Sequence, residues 1–248
     1  MPSLGSHLAS ARVLADRLAD RSIDTDRGSF LLGSTAPDIR VITRLDRDLY
    51  HFFDLDNFED QDAVGRLFEE HPLLAASADL DVPTRVFVAG YLTHLVMDQD
   101  YVERVYRQHF GTATWGDDAR GNVLDRVLQF ELDRREREDE AAWGEVRDVL
   151  ANATSVADVQ FIAADTLGRW VEVVRDIAEQ PASWDRFPRM MNRHLADAGY
   201  SEEEIEEVCR NIPAILDDTL THVSDAAIRD FLDETMDRAL ALVREYLQ

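Results

Sequence analysis

His94 and Asp98 stand four positions apart around the end of an apolar run over 86–97. On an α-helix that spacing puts both side chains on one face, together with Phe87, Tyr91, Tyr101 and Val105. A carboxylate on such a stripe is costly unless something pairs with it. A divalent cation satisfies both residues at once, because neutral imidazole and carboxylate are ordinary ligands of zinc-like ions. A core histidine bonded to an aspartate satisfies them equally, and the pair alone does not separate the two readings.

Three more residues stand oddly in their local settings. His7 opens the first helix within Gly5-Ser6-His7-Leu8, Asp38 follows Ala36-Pro37, and His51 precedes Phe52-Phe53-Asp54. With His94 and Asp98 they make three imidazoles and two carboxylates, enough for two adjacent divalent ions sharing a bridging carboxylate. Taken singly, His7 can serve as a helix cap, Asp38 as the N-cap of a further helix, and His51 as a packed loop residue. His71, His194 and His222 lack such context and read as surface or packing residues. Trp115, Trp143, Trp170 and Trp184 read as core or cleft wall.

The elements that must position these residues are helical, with no alternation of strand type. Leu8, Ala11, Ala15 and Leu18 predict a first helix after Ser6, a candidate N-cap. A short helix over 29–36 is expected to stop at Pro37, because the residue before proline disfavours helical backbone. Residues 38–61 are irregular, and a loop of that length is more often functional than idle. Pro83 suits the first turn of a central buried helix that runs to Phe110 and stops at Gly111. A further helix over 122–137 ends in Arg134-Arg-Glu-Arg-Glu-Asp-Glu140, which reads as a solvated charged face. Ser201 and Glu204 predict a capping box, and a closing helix covers 224–247. The expectation is an all-α single domain over 1–248, with a metal-site core over 1–140 and additional helices over 141–248 packed on it. The stretches 112–121 and 181–188 are the plausible internal boundaries.

Composition bounds the function. The chain has 248 residues, 50 of them acidic and 26 basic, for a net charge of −24; all the basic ones are arginine. Such a charge repels nucleic-acid backbones and anionic membranes, so neither is an expected long-range partner. A hydrophobic content of 45% argues against disorder. Cys209 is the only cysteine, which excludes an intrachain disulfide and a thiolate zinc site. No apolar run approaches the roughly 18 residues of a membrane span, and no signal peptide is apparent, so a cytoplasmic protein is expected.

Four segments together carry a resemblance: Ser6-His7-Leu8, Ala36-Pro37-Asp38, His51-Phe-Phe-Asp-Leu-Asp-Asn57 and His94-Leu-Val-Met-Asp98. In order and context they resemble the bacterial zinc-dependent phospholipase C family, whose fold is shared with single-strand-specific zinc nucleases. The resemblance implies an all-helical fold of that type, with a metal cluster at the bottom of a cleft. It implies His7 as the helix-one ligand, Asp38 and His51 as ligands of a neighbouring ion, His94 on that second ion, and Asp98 bridging the two. In the family a third zinc takes two histidines and a glutamate. Glu131 matches the glutamate, but the histidine positions hold Val127 and Arg104, with His109 at a different spacing. Two zinc ions are therefore expected, with the third site weakened or absent. Secreted members also bind zinc through a processed terminal residue; here the chain reads Met1-Pro2, with Pro2 only five residues before His7, a departure from that pattern that leaves a terminal amine ligand open.

The implied activity is hydrolysis of a phosphoric ester by a metal-bridged hydroxide, with Asp38 assisting as general base. The expected substrate is a small phosphoester or a phospholipid headgroup. The alternatives are a phosphatase or nucleotide phosphodiesterase using the same site, and a non-catalytic helical interaction protein stabilised by metal. The natural substrate, the metal loaded and the oligomeric state are not legible in the sequence.

Overall fold

The apolar run over 86–97 forms the middle of α7 (Val82–Tyr101), which is buried on nearly every face from Thr84 onward. Asp81 caps its N-terminus by accepting from the Thr84 N–H, and Pro83 occupies the first turn, where its missing N–H costs nothing. The computed structural model describes residues 2–116, 120–154, 157–188, 191, 195–196 and 199–248. It is 79% helical, and no strand occurs among the described residues. The helices around α7 are α1 (Leu4–Leu18), α2 (Arg21–Thr25), α3 (Arg27–Gly33), α4 (Arg40–Thr43), α5 (Asp48–His51) and α6 (Ala63–Glu70). Beyond it come α8 (Thr112–Trp115), α9 (Arg120–Glu138), α10 (Glu140–Asn152), α11 (Ala164–Ala178), α12 (Glu202–Arg210), α13 (Ile212–His222) and α14 (Asp225–Leu247).

The closest packing is between α3 and α7, and two glycines permit it. A methyl group on Gly33 would lie 2.0 Å from the Phe87 carbonyl oxygen, and one on Gly90 would lie 2.1 Å from that of Phe30. On another side α14 runs along α7, where Asp100 is fully buried, accepts from Thr235 Oγ1 at 2.9 Å and pairs with Arg238. The main core draws on both halves of the chain. Trp143, Trp170 and Val243 share it with Leu8, Phe30 and Leu92, and Trp170 Nε1 donates to Thr35 Oγ1 at 3.2 Å. Residues over 141–248 thus pack directly behind the segment that carries Asp38.

Several local expectations shift. The first helix is capped by Ser3 rather than Ser6: Ser3 Oγ accepts from the Ser6 N–H at 3.2 Å and itself donates to Asp133 at 2.9 Å. His7 therefore lies one turn inside α1. Pro37 does not stop a helix; α3 ends at Gly33, and Pro37 opens a 3₁₀ turn, Ala36–Ile39. The irregular 38–61 stretch contains the short helices α4 and α5. After Tyr101 the central helix widens into a π-helical segment, Val102–Phe110. The charged end of α9 is not wholly solvated either. Arg137 is buried, chelates Asp133 at 2.8 and 3.1 Å, donates to the Ile177 and Gln180 carbonyls, and lies 4.3 Å from the Trp143 ring. With four N–H groups donating to protein oxygens, this guanidinium is buried where a free one could not be. The capping box at Ser201 and Glu204 and the closing helix form as the sequence predicts, with Ser224 as the N-cap of α14.

Candidate metal centre

Each of the five expected ligands is brought to one place by a different piece of backbone logic. On α7, His94 and Asp98 share the face turned toward α3. The carbonyl of Ser34, released at the end of α3, accepts from His94 Nδ1 at 2.8 Å. A carbonyl can only accept, so the proton sits on Nδ1 and Nε2 is left to point inward. At the end of α5 the same logic holds less tightly: His51 Nδ1 lies 3.3 Å from the Arg47 carbonyl. Phe52 then adopts a left-handed φ of 53°, an uncommon conformation for a bulky residue, which turns the chain sharply after His51. His7 reaches the centre from α1, stacked on His94 with ring centroids 3.7 Å apart. Pinning of Ser3 to Asp133 fixes that helix, as does the tight seat of Gly5, where a methyl would fall 1.7 Å from Asp133 Oδ1.

The donors converge on Asp98. His7 Nε2 lies 3.3 Å from Asp98 Oδ1, while His51 Nε2 and His94 Nε2 lie 3.3 and 3.6 Å from Asp98 Oδ2. Asp38 Oδ1 is 3.6 Å from His51 Nε2. The three Nε2 atoms and Asp98 Oδ1 are buried and have no hydrogen-bond partner. Buried polar atoms are rarely left so, and four facing one another call for a shared partner. Zinc–nitrogen bonds of 2.0–2.1 Å in a tetrahedron place donor atoms about 3.3 Å apart, close to the separations found. The residues present fit a divalent cation. Two triplets have donor atoms within 4.8 Å of one another: His7, His94 and Asp98; and Asp38, His51 and His94.

The electrostatics leave His7 and His51 ready to ligate, whereas on His94 a metal ion must displace the proton that Asp98 favours. Burial, with His94 alongside, lowers His7 to about 4, and burial also lowers His51; both are neutral imidazoles near pH 7. Burial opposes charge on His94 too, but the Asp98 carboxylate outweighs it and raises this histidine. Burial likewise opposes ionisation of Asp98, yet His94 and His7 hold it well below the usual carboxylate range. Asp38 is lowered in spite of burial, chiefly by His51.

Arg47 also belongs to the site. It is buried, donates to Asp98 Oδ2 at 3.1 Å and to the Phe53 carbonyl at 2.7 Å. The available signal was its position four residues before His51, the spacing of one helical turn.

Glu131 is not among the groups that could hold an ion in the described residues. Its carboxylate is taken up by Arg134 Nε at 2.7 Å and Arg135 Nε at 2.7 Å, one turn along α9. Val127 is packed in a core cluster with Phe130, Arg104 pairs with Glu234, and the His109 carbonyl accepts from Trp115 Nε1. None of the residues at the implied third site is among the described groups that could hold an ion. His71 stacks on Phe161, and His222 packs edge-on to Trp115, both packing roles. His194 and Met1 lie outside the described residues.

Access to the centre is one-sided. The Asp38 side chain is 19% exposed, whereas those of His51 and Asp98 are 0% and 4% exposed. Asp38 lines a cleft of about 350 Å³ that also touches Pro2, Val41 and Gln129. No helix among the described residues is long and apolar enough to cross a membrane. Compared with family models, with curated proteins and with solved structures, the chain matches none of them.

Proposed function

We propose that this chain is a zinc-dependent phosphoric-ester hydrolase of the phospholipase C type, with His7, His51, His94, Asp98 and Asp38 as ligands. The observation that carries the reading is the set of four buried, partnerless donor atoms around Asp98. Three imidazoles and carboxylates suit zinc better than the oxygen-preferring ions. The charge count favours one tightly held ion over the two implied by the resemblance. Two carboxylates and the Arg47 guanidinium leave the pocket at about −1, so one divalent ion inverts the sign and a second would load a buried site with about +3. His94 is also common to both donor triplets.

A bound divalent cation supplies a nucleophilic water near neutral pH and positive charge for the phosphoryl oxygens. The chain's own groups do the rest. The Ser34 and Arg47 carbonyls hold His94 and His51 in the ligating tautomer, and the Arg47 guanidinium orients Asp98. Asp38, ionised and facing the cleft, is placed to take a proton from an entering water. Exposed Val41, Leu45, Leu49, Leu55 and Phe58 lie on the segment that carries His51, which favours esters of apolar alcohols over nucleic-acid polymers. The test is a substrate panel of an aryl phosphodiester, phosphatidylcholine, a nucleotide and a phosphomonoester, assayed on zinc-loaded protein and on Asp38→Asn. Cleavage of a diester that falls at least 100-fold in Asp38→Asn agrees with the proposal. A protein that holds zinc, resists chelation by a higher melting temperature and cleaves none of these is instead metal-stabilised and non-catalytic.

A further inference from the structure

Beside the metal centre the cleft carries an unusual charge balance. In a chain with nearly two acids per base, its wall holds Arg40, Arg126, Arg137 and Arg186 against Asp38 and Asp133. The aspartates do not neutralise them. Asp133 is engaged by Arg137 through both oxygens and by Ser3, and Arg186 Nη1 stands 3.6 Å from it as a second, weaker claimant. That Nη1 is buried and forms no hydrogen bond. Arg126 is held by a neutral acceptor, Gln129 Oε1, at 2.9 Å. Gln129 in turn donates to Asp125, which accepts from Tyr101 at the end of α7, so a chain of hydrogen bonds ties Arg126 to the helix bearing His94 and Asp98. Arg40 is exposed and makes no ion pair among the described residues.

A guanidinium whose N–H groups are desolvated without an acceptor is stabilised by a ligand oxyanion, and its planar fork matches phosphate oxygens. The geometry points to this cleft as an oxyanion subsite, in which Arg186 and Arg126 seat the phosphoryl group of the substrate against Asp38. This inference rests on the metal-centre reading for its role in catalysis, but the arginine pair binds a phosphate group whether or not the ion is present. Arg137, fully committed within the protein, positions Asp133 and takes no part in binding. The ligand class is a phosphate oxyanion, free or esterified.

The test is calorimetric titration of the full-length protein, as purified, with inorganic phosphate, with zinc content measured on the same samples. Arg186→Gln and Arg126→Gln are compared with Arg17→Gln, which removes an exposed surface partner of Asp237 away from the cleft. Each cleft variant is expected to weaken phosphate binding about tenfold while keeping the zinc content and melting temperature of Arg17→Gln. Repetition with a phosphodiester distinguishes an esterified ligand from a free one by which binds more tightly. A wild type that does not bind phosphate, or cleft variants that bind it as well as Arg17→Gln, overturns the subsite. Arginine-dependent phosphate binding in a protein that takes up no zinc sustains the subsite and removes only the metal centre.

Discussion

His94 Nδ1 donates to the Ser34 carbonyl at 2.8 Å, joining the central helix to a segment 60 residues earlier in the chain. The bond exists because Gly33 and Gly90 let the two helix backbones meet. Through it, backbone packing decides which imidazole nitrogen faces the pocket.

Gly90→Ala tests that link. The added methyl meets backbone rather than a flexible side chain, so the helices must separate. A loss of about 1–3 kcal/mol in urea unfolding is expected, with zinc affinity falling at least tenfold as His94 loses its orienting acceptor. Wild-type affinity in a destabilised Gly90→Ala protein would show that the carbonyl does not orient the ligand.

His94→Ala and Asp98→Asn remove the donors on which the others converge. Each is expected to lose most bound metal, read by elemental analysis after gel filtration. Full metal content in both variants would remove the central helix from the site.

Arg47→Met separates the buried cation from the ligands. In chelator-treated protein it leaves Asp98 without its guanidinium partner, and a loss of about 3–5 kcal/mol is expected. Zinc then replaces the missing positive charge, so the rise in melting temperature on zinc addition should exceed that of the wild type. An unchanged melting temperature in chelator would mean that the Arg47–Asp98 pair contributes nothing.

Acid stability follows from His7. Its folded value of about 4 lies below the ordinary 6.5, so between these the unfolded chain binds a proton that the folded one refuses. Stability of the metal-free protein should therefore fall as pH drops from about 6.5 to about 4, by on the order of 3 kcal/mol. His51, also lowered, adds in the same direction; His94, raised, acts above 6.5 and does not offset it. Denaturant midpoints between pH 7 and 4 check this, and His7→Gln should flatten the slope. A slope unchanged in His7→Gln would assign the acid sensitivity elsewhere.

The helical fold was legible because the spacing of Leu8, Ala11, Ala15 and Leu18 has the helical period, and because Pro83 and the Ser201–Glu204 pair mark helix starts by local chemistry. His7, Asp38, His51, His94 and Asp98 were legible as polar residues in apolar or turn contexts. Arg47 was not, because a burial that depends on Asp98, 51 residues away, leaves no trace in local pattern. Arg137 sits in a charged run that reads as solvated for the same reason: the Ile177 and Gln180 carbonyls that accept from it come from a distant helix end. Glu131 was assigned through the resemblance, and the two arginines that take it up sit within one turn, where i,i+3 and i,i+4 pairing provided the competing reading.

The most direct measurement is zinc titration of chelator-treated, full-length protein, with stoichiometry fixed by elemental mass spectrometry of the dialysed complex. About one tightly bound zinc per chain, abolished in Asp98→Asn, is the predicted result. A wild-type protein that retains no zinc would contradict a metal centre built on Asp98.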